Sequence, residues 1–322
     1  MAEHVRLHYT TSPAILGDLP ERFPSVEFVR LPRDAELAAG VPIEPAPILV
    51  TVGLGSPGLV RAIQSTTSWI HSMSTGINAF PFDALGEQVL TCSRGTSAEP
   101  IREWVLGTML HVAKRFDDTF VTETVEYESE DAARRAWYAD PQLGMLQGST
   151  VAILGFGSIG RGVAELAHAF GMRVVATRRT PAPDPIATVV ADAVEAVADA
   201  DHVVVAAPLT PATVHLVDAE LLAAMKPGAH LINVARGELV DQEALRVALD
   251  SGRVARASLD VVTPEPLPAG HWLYDHPRVK LSRHISWSGL GWDRQRELLA
   301  TNIERFLAGH ELLGIVDPAE RY

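Results

Sequence analysis

Among 322 residues there is a single cysteine, Cys92. One thiol excludes an intrachain disulfide and any zinc site built on paired cysteines, and it suits a reducing, cytoplasmic setting in which Cys92 merely fills apolar space. Long hydrophobic runs are also missing. The longest, VVVAAPL at 203–209, is far too short to span a bilayer. The opening MAEHVRLHYTTSPAIL has no basic region followed by an apolar stretch, so no signal peptide is expected. Positive charge is scarce: a formal net charge of -13 argues against nucleic acid or an anionic membrane as the main partner. Any anionic ligand must therefore be held by local positive groups. The chain shows no internal repeat, no low-complexity segment and no metal-ligand pattern.

What is present is a soluble globular composition, 47% hydrophobic and 21% charged, in a chain long enough for two domains. Short β-branched runs alternate with helical patterns: ILVTV (48–52), TVAIL (150–154), RVVAT (173–177), HVVVAA (202–207), HLINVA (230–235) and ASLDVV (257–262). Strands that are apolar throughout, separated by helices, imply a parallel sheet buried on both faces and an α/β fold. TSAEPIREWVLGTMLHVAKRF, opened by Thr96 and Ser97, predicts a long helix. The charged stretch after it, through Trp137 and Tyr138 and broken at Pro141 and Gly144, predicts an exposed arm. A last helix is expected in WDRQRELLATNIERFLAGH, stopped by Gly309.

Two stretches fit G-x-G-x-x-G behind an apolar run: GLGSPG at 53–58 and GFGSIG at 155–160. A dinucleotide pyrophosphate rests on backbone N–H groups at a helix start. The first stretch has Pro57, which has no N–H, and no charged residue about twenty positions on. The second offers Gly155, Phe156, Gly157, Ser158, Ile159 and Gly160 within a βαβ unit of ordinary length. Where an acid would contact the ribose of NAD, the chain has Thr177, Arg178, Arg179 and Thr180. Positive charge there suits the 2′-phosphate of NADP, with NAD the alternative.

Ligands of open α/β sheets bind beyond the carboxyl ends of the strands. Arg236, Glu265 and His284 each follow a predicted strand on that edge. Arg236 can hold the carboxylate and carbonyl of a 2-oxo acid with its planar fork, and His284 can supply a proton as hydride arrives. Glu265 would orient that histidine and favour its imidazolium. Singly, each is an ordinary residue: a helix cap, a solvated loop acid, one of twelve histidines.

GFGSIG, PLTPAT, INVARGELVD, LDVVTPEPLP and RHIS, in this order, closely resemble the D-isomer-specific 2-hydroxyacid dehydrogenases, from about Ile48 to the last helix. The resemblance implies a catalytic triad of Arg236, Glu265 and His284. It implies Asp260 at the nicotinamide carboxamide, and Pro208, Leu209, Thr210, Thr213, Val234, Ala235 and Ser286 along the cofactor. It also implies two domains: a flavodoxin-like substrate domain (1–97 and 288–322) with a Rossmann-type dinucleotide domain (98–287) inserted. Within the substrate domain, Ser74, Thr75 and Gly76 would hold the substrate carboxylate through backbone N–H groups, and GLGSPG would be only a loop. The arginine pair at 178 and 179 resembles that of NADPH-using glyoxylate and hydroxypyruvate reductases, and the long helix with its arm resembles the family's dimerisation region, so a homodimer is expected. Two features depart from the family pattern: Arg283 replaces the usual proline, and Trp287 stands where smaller residues are common. Trp69, Trp287 and Trp292 are candidates for setting the pocket size. Family members that act as dinucleotide-sensing corepressors, or that oxidise larger or inorganic acids, mark the alternatives.

Overall fold

The computed structural model describes every residue except 1–4, 53–54, 121–125, 140–141, 290, 320 and 322. Gly53 of the first glycine stretch, and 121–125 with 140–141 of the expected arm, thus lie outside the described residues. The chain divides into two compact units, Met1–Ser97 with Ser288–Tyr322, and Ala98–Trp287.

The first unit holds β1 (Val5–Tyr9), β2 (Val26–Arg30), β3 (Ala46–Thr51), β4 (Thr66–Ser72) and β5 (Val89–Cys92). They form one parallel sheet in the order β2-β1-β3-β4-β5, the flavodoxin-like arrangement. The helix Asp293–Leu307 returns to this unit and buries Leu299, Ala300 and Ile303 against Leu7, Ile48, Val50 and Trp69. Those residues recur at helical spacing, so one face of the helix is apolar and the other carries its charges. Trp69 is fully buried, stacked on Phe306 at 5.6 Å, with its indole N–H donated to Thr91 Oγ1 at 2.8 Å. It is a core residue and not a pocket wall, and Trp292 packs on the same core.

The second unit holds β6 (Thr150–Leu154), β7 (Arg173–Thr177), β8 (Thr188–Val190), β9 (His202–Val205), β10 (Ala229–Asn233), β11 (Val254–Leu259) and β12 (Val279–Leu281). Their order is β12-β11-β10-β9-β6-β7-β8, all parallel. Along β6 the side chains alternate: Val151 and Ile153 enter a core covered by the helices Ala98–Lys114 and Ser158–Ala169, whereas Ala152 and Leu154 enter the core on the opposite face. From β8 the chain crosses back to lay β9 beside β6, which creates a switch point, and a crevice, between the ends of those strands.

Candidate active site

At the end of β6, Gly155 has φ +103°, and a Cβ there would collide with the backbone of Ala207 on the loop after β9. Only glycine lets the two loops meet this closely. Gly160 is pressed in the same way against the Gly155 carbonyl, whereas the space over Gly157 is open. The helix Ser158–Ala169 starts immediately behind, so its first N–H groups have no helical partner and point into that opening. These features fit a bound pyrophosphate. Thr177 Oγ1 accepts the Gly155 N–H at 3.0 Å, tying the end of β7 to the loop, and Arg178 and Arg179 follow as exposed cations. The Thr213 hydroxyl donates to the Pro208 carbonyl at 2.7 Å and accepts the Thr210 N–H at 2.8 Å, which shapes the 208–213 loop.

The first glycine stretch is built differently. Pro57 opens the helix Pro57–Gln64 with Ser56 as its cap, and Ser56 Oγ bonds the Asp34 carboxylate. Gly58 lies so close to Asp34 that a side chain would collide with it. A carboxylate of the protein itself already stands at this helix start.

Beyond the other strands, three turns bring Arg236, Glu265 and His284 into one electrostatic group. Asn233, buried at the end of β10, accepts the Ala235 N–H at 3.1 Å and donates to the Arg236 carbonyl at 2.8 Å. Gly237 lets this turn approach the backbone of Val262 and Thr263. Burial pushes the Arg236 pKa below the ordinary guanidinium value, and the charges of Glu265 and Glu238 oppose that shift. Glu265 accepts the Val262 N–H through Oε1 at 3.0 Å and meets His284 Nδ1 through Oε2 at 2.9 Å. An ionised carboxylate only accepts, so Nδ1 carries the hydrogen and Nε2 points away from the pair.

His284 has φ +53°, the left-handed region. Its N–H donates to the Asp260 carbonyl at 2.9 Å, and its own carbonyl accepts the Trp287 indole N–H at 2.8 Å. The buried Asp260 carboxylate accepts the N–H groups of Ile285 at 2.8 Å and Ser286 at 3.0 Å, and the hydroxyl of Ser282. These bonds tie the Asp260 carboxylate to the histidine loop. Trp287 packs on the core beneath the helix Ala98–Lys114, and Arg283 is exposed. In the first unit, Ser74 Oγ donates to the Val52 carbonyl at 2.7 Å and Thr75 Oγ1 to the Ser93 carbonyl at 2.9 Å. Those bonds fold 74–76 into a loop after β4.

Sequence reasoning overlooked Asn233 and Ser282 as supports of the site. The signal for Asn233 was present, a lone amide in the otherwise apolar HLINVA.

The sequence pattern of the D-isomer specific 2-hydroxyacid dehydrogenase NAD binding domain matches residues 110–286. The chain belongs to the D-isomer specific 2-hydroxyacid dehydrogenase family. Among its relatives in that family, a glyoxylate reductase from Thermococcus onnurineus is 37% identical over 221 residues, 66% of this chain and 64% of that protein. A glyoxylate reductase/hydroxypyruvate reductase from Mus musculus is 31% identical over 272 residues, 81% and 79% of the two chains. A solved family member from Xanthobacter autotrophicus Py2, in complex with NADPH and MES, aligns over 100% of both chains with a TM-score of 0.82 and 26% identity. Family membership carries with it a nicotinamide dinucleotide cofactor and 2-hydroxy or 2-oxo acid substrates. No helix among the described residues is long and apolar enough to cross a membrane.

Proposed function

We propose that this protein is an NADPH-preferring reductase that converts small 2-oxo acids, such as glyoxylate or hydroxypyruvate, into D-2-hydroxy acids. The observation that carries the reading is the 2.9 Å bond between His284 Nδ1 and Glu265, which leaves Nε2 as the group able to exchange a proton with a substrate oxygen. The bound dinucleotide supplies the hydride. Arg236 binds the substrate carboxylate and polarises the carbonyl, and the protonated His284 delivers a proton from Nε2 to the forming alkoxide. Glu265 keeps the ring in the required tautomer and balances its positive charge. Thr75 and Gly76, whose N–H groups meet no acceptor among the described residues, bind the substrate carboxylate with Ser74 shaping their loop.

Residues 155–160 hold the pyrophosphate, and Pro208, Leu209, Thr210, Val234, Ala235 and Ser286 surround the rest of the dinucleotide. Arg178 and Arg179, exposed at the end of β7, receive the 2′-phosphate, a role supported by the NADPH of the Xanthobacter neighbour. The protein works in the cytoplasm as a homodimer. The exposed apolar side chains of Phe116, Phe120, Trp137, Tyr138 and Met145 support a second copy as their cover, and light scattering at twice the chain mass is the expected outcome.

The test is the loss of reduced-nicotinamide absorbance with glyoxylate, hydroxypyruvate, pyruvate and phenylpyruvate, each with NADPH and NADH. Turnover is expected with NADPH at the small acids. Replacing both Arg178 and Arg179 by alanine should raise the KM for NADPH roughly 10- to 100-fold, as expected for lost charge-assisted bonds, and leave NADH nearly unchanged. Equal use of both cofactors by the wild type would overturn the NADPH preference. Absence of turnover on every acid would overturn the reductase assignment.

A further inference from the structure

Three neighbouring strands of the second unit, and the residue just before a fourth, carry a basic side chain at one level near the amino ends. His202 on β9 pairs in register with His230 on β10, and His230 with Arg256 on β11. Arg278 stands beside Arg256, one residue before the Ala257–Val279 pair. Side chains two apart share a face, so Ser258 and Lys280 extend the stripe. His202 and His230 are buried, joined Nδ1 to Nδ1 at 3.1 Å, and His230 Nε2 meets Ser258 Oγ at 2.9 Å.

The two arginines have no such neutral solution. Arg256 gives one N–H to the Pro277 carbonyl at 3.1 Å, and Arg278 gives one to the Leu249 carbonyl at 2.6 Å. Among the described residues, no carboxylate forms an ion pair with either. Like charges side by side on adjacent strands repel, and a counter-ion relieves that cost.

The end of the helix Ala98–Lys114 and the short helix Phe116–Thr119 face this stripe across a cavity of about 220 Å³. Its walls include His111, Arg115, Asp117, Asp118, Arg256, Arg278 and Lys280. Asp117 is engaged by Lys280 at 3.0 Å and by His111 at 3.1 Å, and Asp118 by Arg115 at 3.1 Å. Both carboxylates therefore already have cations, and among the described residues Arg256 and Arg278 remain as two charges without a paired carboxylate. The same two arginines line an adjoining open groove with Gly252, Ala255 and Pro277, which gives access from solvent.

We propose that this cavity binds a small dianion with oxygen acceptors, either a phosphoryl group or a compact dicarboxylate, held between the Arg256 and Arg278 guanidinium groups. Planar forks match such oxygens, and the volume lies below the roughly 300–1,000 Å³ of sites for larger ligands. The site is at the amino edge of a parallel sheet whose carboxyl edge carries Gly155, Arg236 and His284, so it is separate from the proposed chemistry.

The test is thermal unfolding of the full chain, without dinucleotide, in rising inorganic phosphate or malonate against potassium chloride at equal ionic strength. A saturable rise in Tm is expected with at least one of the two anions, because a ligand that binds only the folded state stabilises it. Phosphate alone would identify a phosphoryl ligand, and malonate alone a dicarboxylate. The rise should disappear in Arg256→Gln/Arg278→Gln and persist in Arg236→Gln and in Arg178→Gln/Arg179→Gln, which remove the arginine side chains proposed to hold anions at the carboxyl edge of the sheet. If the double variant does not fold, Lys280→Gln serves instead and should weaken the midpoint several-fold by releasing Asp117. No saturable rise in the wild type, or a rise unaffected by Arg256→Gln/Arg278→Gln or by Lys280→Gln, would overturn the proposal.

Discussion

His284 occupies a backbone conformation that costs a non-glycine residue about 1–3 kcal/mol. Several independent contacts hold it there: Asp260 takes its N–H, Trp287 donates to its carbonyl, and Glu265 fixes its ring. The Asp260 carboxylate adds two further backbone bonds in the same loop. Such over-determination places Nε2 within a narrow range before any substrate arrives. His284→Ala is therefore expected to lower kcat about 10²–10⁴-fold, the usual share of a general acid, while NADPH affinity by fluorescence titration stays close to wild type. Unchanged turnover would remove His284 from the reaction. The residue types of this group were legible in the sequence, because each has a distinct task in hydride transfer. The supports were not: Trp287 read as a candidate for setting the pocket size, and its indole N–H is in fact committed to the His284 carbonyl.

At the scale of elements, two glycine-rich turns with one motif perform different work. Gly155 relieves a clash between two loops at the switch point, whereas Gly58 allows the helix Pro57–Gln64 to rest on Asp34. Gly58→Ala should cost about 1–3 kcal/mol of stability through overpacking, with NADPH affinity kept. Gly155→Ala should damage both, because its positive φ and the Ala207 backbone leave no room for a side chain. Melting curves combined with NADPH titrations separate the two, and loss of NADPH affinity in a folded Gly58→Ala would contradict the division. The strands β6, β7, β9 and β10 were readable because burial on both faces makes them apolar throughout. β1, β2 and β4 were hidden by Arg6, His8, Glu27, Arg30 and the polar Thr66–Ser72. β11 begins at Val254, three residues before the expected ASLDVV, since Arg256 masks its first half.

For the whole molecule, buried histidines set a limit at acid pH. Burial lowers the pKa of His71 to about 3 and of His202 to about 4 against an opposing charge from Asp201. His230 is held well below its ordinary value by burial and by His202, Arg256 and His111. All three stay neutral in the fold, whereas the unfolded chain protonates them below about pH 6.5. The unfolded state then binds more protons, so stability is complete above that pH and falls as the pH drops toward the folded values. Each histidine adds a slope of about 1.4 kcal/mol per pH unit once its unfolded form is charged. Thermal melts from pH 8 to pH 5 should show Tm declining below about pH 6.5, less steeply in a His202→Asn/His230→Asn variant. A Tm independent of pH across that range would contradict this account.

The sequence by itself determined the α/β class, the glycine turn suited to a dinucleotide, and the order of arginine, glutamate and histidine. These follow from periodicity and from the few side chains able to perform each chemical task. Only the tertiary structure decided that Glu265 meets Nδ1 of His284, that Asp34 occupies the first glycine helix, and that His202, His230, Arg256 and Arg278 stand in one row. Those contacts join residues about 20 to 30 positions apart, and their pairing depends on strand register and close packing, which no local pattern of residues specifies.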